Sequence, residues 1–475
     1  MEARKTYRAW DPSQNQQQAY SPEAELPEDD LVFFLLDTVP QLDLSAFYAP
    51  YERETRGAPP YDVAMMCTLL TYAYCVGVFS SRKIAAACER NLAFKAIVGA
   101  EPPNFRTISD FRKIHHEAFV DFFVVVLRLA GEMGMVRLGN LAIDGTKVQA
   151  NASRHKAMSY AYMNKEIERV RAEIEALLKR AQAVDTEEDA ALGSRRGDEL
   201  PEELKRREDR LRVLEEAKKR LEEEKKQRAE EERTRRQQAE AEREAEGKKR
   251  RGRQPQPVSE TPADKAQTNF TDPEAKIMKT NNKGFDYCFN AQAAVDETYQ
   301  IIVAAEVTAQ ANDKQQGVPM AQASRANLEE ADIVPKPSEH ATALAQSPPR
   351  KIVATLDNGY FSEQAVEGIE KSGFDPHIAT GRQKHNTPPV PVVDGSPPAG
   401  ASAQERMAHK LRTKLGREHY AKRKCIVEPV FGQIKHARGF RRFLLRGLKK
   451  VRGEWNLVCL THNLLKIWRY RCALA

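Results

Sequence analysis

Two apolar stripes at heptad spacing constrain this chain more than any other feature. Ile167, Val170, Ile174 and Leu177 form the first, and Leu204, Leu211, Leu214 and Leu221 form the second. Between them "VDTEEDAALGSRRGDELPEE" supplies turn residues, with Pro201 placed to start a helix. Helices with such stripes bury them by folding back on each other, so residues 156–255 read as an antiparallel helical hairpin. Past Leu221 the stripe ends and the sequence becomes almost wholly charged or small, which suits a solvated helix held by i,i+4 pairs. Such a helix is ordinarily a solvated face; its functional readings are DNA contact and self-association, not catalysis.

The periodicity differs on either side of the hairpin. Residues 1–43 form a polar arm ending in a short helix around "DDLVFFLLDTV". Residues 44–138 read as helices, with apolar positions three and four apart in "YDVAMMCTLLTYAYCVGV" and "SSRKIAAACERNLAFKAIVG". "SSRK" reads as an N-cap and first turn, and "RTISDFRKIHHEAFVDFFVVVLRLAGEMG" as one helix from a Thr/Ser cap to a glycine. This segment is either a DNA-contacting domain or a plain bundle. "GNLAIDGTKVQANAS" is β-prone. After Thr268, "FDYCFNAQAAVDE" and "QIIVAAEVTAQ" predict a hairpin through "DETYQ". A helix near "DKQQGVPMAQASRANLEEA" follows, then a strand, an Asn-Gly turn and a helix opened by Ser362 within "RKIVATLDNGYFSEQAVEGIEKSGF". "DPHIAT" predicts one more strand, and "NTPPVPVVDGSPPAGAS" a loop before a basic helical end.

The 475 residues suffice for two to four domains. The net charge of +7 is unevenly spread: residues 405–452 hold sixteen Lys or Arg against three acids, which points to nucleic acid or another polyanion. Seven cysteines without a C-x-x-C pair predict reduced, mostly buried thiols and no zinc site. The longest apolar runs are short or flanked by charge and read as core helices, so no membrane association is expected.

Three carboxylates stand out against this background. Asp144 lies on the first strand, Asp357 at the end of an apolar strand, and Glu428 among cations in "KCIVEPVFGQIKHARGFRRF". Acids gathered at strand ends can hold two divalent ions that activate a water or 3′-hydroxyl and stabilise a leaving oxygen. Magnesium suits an all-oxygen site, and manganese can substitute. Singly, each acid has a plainer reading, as turn, cap or salt-bridge partner. Pro429 disfavours α geometry at Glu428 and predicts a kink or a new helix start there.

In their order along the chain, "IDGTKVQANAS", "TDPEAKIM", "GFDYCFNAQAAVDE", "ATLDNGYFSE", "EPVFGQIKHARGFRRFLLRG" and "EWNLVCLTHNLLK" resemble the DDE transposases of bacterial insertion sequences. "FSSRKIAAACERNLAFKAIVG" and "PNFRTISDFR" are similar to the helical transposase domain that precedes them in one large group. The resemblance implies a ribonuclease H-like α/β fold, a mixed sheet flanked by helices. An all-α DNA-binding domain (44–138) would precede a catalytic domain (139–475), interrupted by the helical hairpin at 156–255.

It carries the catalytic and metal-binding acids onto Asp144, Asp357 and Glu428, and implies two magnesium ions. Tyr420, Arg423 and Lys435 match the residues that accompany the Glu, with one residue more than the common form between Arg423 and Glu428. Either Lys424 takes the arginine role or a bend absorbs the difference. Arg438, Arg441, Arg442, Arg446, Lys449 and Lys450 read as phosphate contacts. The implied activity is binding of terminal inverted repeats, metal-dependent hydrolysis at the element end, and strand transfer to target double-stranded DNA without a covalent protein–DNA intermediate. A homodimer on DNA and a cytoplasmic, nucleoid-associated location follow. The alternatives are a nuclease without strand transfer and a catalytically silent DNA-binding derivative. Among smaller candidates, Asp272 reads as a DNA-orienting or capping residue, Asn312 and Asp313 as caps, His115 and His116 as surface or packing residues, and Trp455 as a core residue or a platform for a displaced base.

Overall fold

The computed structural model describes residues 25–52, 59–192, 202–245, 256–280, 284–335, 351–381 and 391–474. The first 24 residues of the polar arm, the turn 193–201 and the charged stretch 246–255 lie outside the described residues. The described chain opens with helices α1 (Leu31–Thr38), α2 (Ser45–Glu52), α3 (Val63–Cys75), α4 (Ser81–Arg90), α5 (Leu92–Val98), α6 (Phe105–Ile114) and α7 (Ala118–Glu132). Asp30, Asp62, Asn91 and Asn104 cap α1, α3, α5 and α6 with side-chain oxygens, satisfying amides that the first helical turn leaves free.

Two local expectations fail here. The single helix read from Arg106 onward is broken into α6 and α7. His115 at the break turns its ring into Phe47 and Phe111. Ser80 stands at the N-cap of α4 but makes no side-chain capping bond, and the Ser81 hydroxyl accepts from the buried Arg112.

Strand β1 (Asn140–Gln149) follows. The chain then leaves through β2 (Ala157–Ser159) into α8 (Tyr160–Leu192) and α9 (Glu202–Ala245), and returns through β3 (Gln267–Asn269) and β4 (Lys276–Lys279). Helices α8 and α9 are antiparallel: Arg171 pairs with Glu215, Arg207 with Glu173, and Tyr160 with Glu222. Ile167 and Val170 meet Leu214 and Leu221 in a small core separate from the main one.

The main sheet continues with β5 (Phe285–Asp296), β6 (Ile302–Thr308), β7 (Ile352–Leu356) and β8 (Phe374–Ile378). Its order is β4-β5-β1-β7-β8, with β6 also on β5. β1 is antiparallel to β5 and parallel to β7, and β8 is parallel to β7, so the sheet is mixed. Helices α10 (Gly317–Glu330), α11 (Glu363–Lys371), α12 (Ala403–Arg412), α13 (Lys414–Gly432) and α14 (Leu448–Leu474) complete the fold.

The central strands are buried along most of their length, which explains their Val, Ile and Ala content. Helix α14 is the hub: it packs on β6, α3 and α7 at once. One continuous apolar core therefore runs from the N-terminal helices through α14 to the sheet. Among the described residues no single helix is long and apolar enough to cross a membrane.

Candidate active site

β1 and β7 place the first two acids. Ala142 stands opposite Thr355 in their parallel register. Two residues further along each chain are Asp144 and Asp357, which brings them side by side on strands about 4.8 Å apart. Asp357 ends β7, and its carboxylate accepts the Gly359 N–H at 2.7 Å, which sets the turn that follows.

Helix α13 covers this point. Its buried stripe, Arg423, Ile426, Val427, Val430 and Phe431, follows helical spacing and faces the sheet. Arg423 is the polar member of that stripe. Its Nη1 donates to Asp144 Oδ2 at 3.0 Å. Lys424 is exposed. Burial pushes the Asp144 carboxyl up to about 6; Arg423 and the Gly145 N–H offset part of that, and the neighbouring charge of Asp357 adds to it. Tyr420 lies one turn before Arg423. Burial raises its hydroxyl's pKa, and both Asp357 and Asp144 are close enough to contribute.

Lys435 closes the other end. Its ammonium donates to the Thr146 hydroxyl and, at 2.7 Å, to the Lys147 carbonyl. Burial pulls its pKa down to about 8. Lys435 thus touches β1 two residues beyond Asp144.

Glu428 is not drawn into this group. It is exposed, and its carboxylate has no hydrogen-bond or ion-pair partner among the described residues. Among the described residues no three His, Cys, Asp or Glu side chains converge enough to hold a metal ion. The structure therefore brings together Asp144, Asp357, Arg423 and Tyr420, with Glu428 on the flank of α13. No new helix starts at Pro429: α13 runs through it to Gly432, and a π-helical turn follows at Gln433–Ala437.

The basic segment after α13 divides. Arg438 turns inward, donating to the Thr461 hydroxyl at 2.8 Å and the Val458 carbonyl at 3.1 Å. It is half-buried, and its guanidinium is engaged by α14. Arg441, Arg442, Arg446, Lys449 and Lys450 are exposed. Arg442 and Arg446 also brace the chain after β1, through the Ala150 and Asn151 carbonyls. Trp455 is wholly buried and donates its indole N–H to the Gln292 carbonyl, so it is a core residue. His115 is likewise buried, and Asp272 accepts from the Gly447 N–H.

Sequence reasoning missed one polar group on the far side of the strand pair. Asp313 does not cap a helix. Its carboxylate accepts from Asn290 at 2.6 Å and Gln292 at 2.8 Å, and Lys147 lies 3.6 Å away. Any side chain at Gly145 would collide with Gln292, its Cβ only 2.1 Å from Nε2, so glycine there makes room for the network. The available signal was the pair Asn290 and Gln292, two fully buried amides on an otherwise apolar strand.

Asp144 and Asp357 are adjacent, and Arg423 is the cation paired with Asp144. Two oxygen donors with a surplus negative charge, one of them held toward protonation by burial, fit a divalent cation as counter-charge.

Comparison with protein families finds two matches. The model described as "Transposase DDE domain" matches residues 397–468, and "Transposase domain (DUF772)" matches residues 20–114. No curated protein and no solved structure matches the chain. The first match spans α12, α13 and most of α14, and so includes Tyr420, Arg423, Glu428 and Lys435. The second spans α1 to α6. Asp144 and Asp357 lie in the unmatched stretch between them. A transposase DDE domain implies a transposition nuclease with DNA as its substrate. The two matched segments bear out the resemblance read from the sequence: one segment is similar to a transposase DDE domain, and the segment ahead of it is similar to a second transposase domain.

Proposed function

We propose that the chain binds the terminal inverted repeats of its own element, hydrolyses the phosphodiester at the element end and joins the freed 3′-hydroxyl to target DNA. The observation that carries this reading is the placement of Asp144, within β1, beside Asp357, just past the end of the parallel strand β7, beneath a helix that brings Arg423 to Asp144. The strand order and the position of α13 support a ribonuclease H-like catalytic domain over 139–475, with the hairpin as an insertion. The basic starts of α4 and α6 support a DNA-binding role for the helical segment 44–138.

Asp144 and Asp357 would hold the metal. Glu428 would complete the set from the flank of α13. Tyr420, Lys424 and Glu428 follow at four-residue steps and so share that flank, and Tyr420 is near enough to feel the charge of both aspartates. When bound, two magnesium ions supply the charge that activates the attacking oxygen and stabilises the leaving one. Arg423 keeps Asp144 oriented by its hydrogen bond. Lys435 holds the end of β1, while Arg441, Arg442, Arg446, Lys449 and Lys450 bind flanking phosphates. A homodimer would hold two element ends together, in the cytoplasm on the nucleoid.

Incubation of precut element ends with target plasmid and magnesium tests the reading. Joined products are expected. Cleavage of uncut ends with no joining would favour a nuclease, and binding without either reaction a silent derivative.

A further inference from the structure

Pro429 has no N–H, so the carbonyl of Cys425, four residues earlier, loses its helical partner. An orphan carbonyl in the middle of α13, next to Glu428, would normally bend the helix or admit water. Gln300 supplies a partner from 125 residues away, by donating its Nε2 to Cys425 O at 3.0 Å.

Gln300 lies in the turn between β5 and β6, and it is held from the other side by α14. Lys466 donates to its Oε1 at 2.8 Å, and the His462 ring bonds its carbonyl at 3.0 Å. The amide is therefore oriented without ambiguity: its oxygen accepts from a lysine and its nitrogen must donate. The backbone at Gln300 has φ +59°, a conformation that favours glycine or asparagine. A long amide side chain at such a position is explained by what it reaches. The same turn grips α13 once more, through Glu297 and Lys422 at 3.0 Å.

We propose that Gln300 is a positioning residue for Glu428: by replacing the hydrogen bond that Pro429 removes, it keeps α13 helical through the turn that carries this carboxylate. The proposal rests on the assignment of Glu428 to the active site only for its functional consequence. Its structural half is independent of that assignment.

The test is hydrogen–deuterium exchange of residues 424–434 in the metal-free full chain, alongside cleavage kinetics. Gln300→Ala should speed exchange in that segment about five- to tenfold, the effect of one lost hydrogen bond. It should lower kcat for cleavage with the KM for DNA unchanged. Adding Pro429→Ala should return exchange and kcat toward the parent, because residue 429 then has an N–H for the Cys425 carbonyl. A role confined to the β5–β6 turn would not be rescued in this way. Unchanged exchange in Gln300→Ala, or failure of Pro429→Ala to restore it, overturns the proposal. If exchange behaves as expected while Glu428→Gln cleaves normally, the positioning stands and the catalytic reading of Glu428 falls.

Discussion

The Tyr74 hydroxyl donates to Glu454 Oε1 at 3.0 Å, deep inside the molecule, and joins the two family-matched segments. Tyr74 in turn accepts from Arg112 at 2.8 Å, and Glu454 Oε2 accepts the Leu444 and Leu445 amides at 2.9 and 3.0 Å. One buried carboxylate thus ties α3 and α6 to the basic segment that leads into α14. Glu454→Ala would leave Arg112 buried without its carboxylate and two amides unpaired, at a cost of about 3–5 kcal/mol. The midpoint of urea unfolding should fall accordingly. A chain lacking residues 1–114 should fail to show a cooperative transition, since α14 would lose the helices that cover it.

Asp144 should titrate unusually high in the metal-free protein. Its carboxyl stands at about 6 because burial outweighs the help of Arg423. Arg423→Gln removes that help, so the midpoint should move further up. Carboxyl-carbon NMR on the parent and the variant measures both. A midpoint in the ordinary aspartate range would contradict the buried, acid-paired environment described here.

The basic segment should separate into two behaviours. Replacing Arg441, Arg446 or Lys449 with alanine should weaken DNA binding and lower the salt slope by about one unit for each phosphate contact removed. Arg438→Ala should leave the salt slope unchanged and lower the melting temperature, because its guanidinium holds α14 at Thr461 and Val458. Equal salt effects at Arg438 and Arg441 would contradict this division.

Acid should destabilise the fold through buried neutral histidines. Burial brings His115 and His377 down to about 4, from an ordinary 6.5. The folded values lie below the unfolded ones, so their contribution is complete above about pH 6.5 and is lost as pH falls toward 4. Each histidine adds up to about 1.4 kcal/mol per pH unit within that window. His115→Phe, within its aromatic cluster, should flatten the dependence of melting temperature on pH between 6.5 and 4.

Much of the fold was legible because the signals are local. Ser362 caps α11 as its sequence suggests, and β5, β6 and β7 lie where apolar, β-prone runs predict them. Asp144 was readable as an acid on a strand and Asp357 as an acid at a strand end, since each follows an apolar run. What was not legible depends on distant partners. Pro429 reads locally as a break, and α13 continues because Gln300 supplies the missing bond. Arg438 reads as one cation among many, and only the approach of α14 turns it inward. Neither did the local pattern reveal the break between α6 and α7. There Gly453 of α14 sits so close that a Cβ would lie 2.1 Å from the His116 carbonyl oxygen. Asp313 looked like a cap because its partners, Asn290 and Gln292, are on another strand.

Single-turnover cleavage of labelled element-end DNA by Asp144→Asn, Asp357→Asn and Glu428→Gln, with gel-shift binding measured on the same preparations, tests the central claim most directly. Each variant should bind DNA like the parent and lose cleavage by several orders of magnitude. Cleavage at parental rates by either aspartate variant would show that these acids are not the catalytic pair.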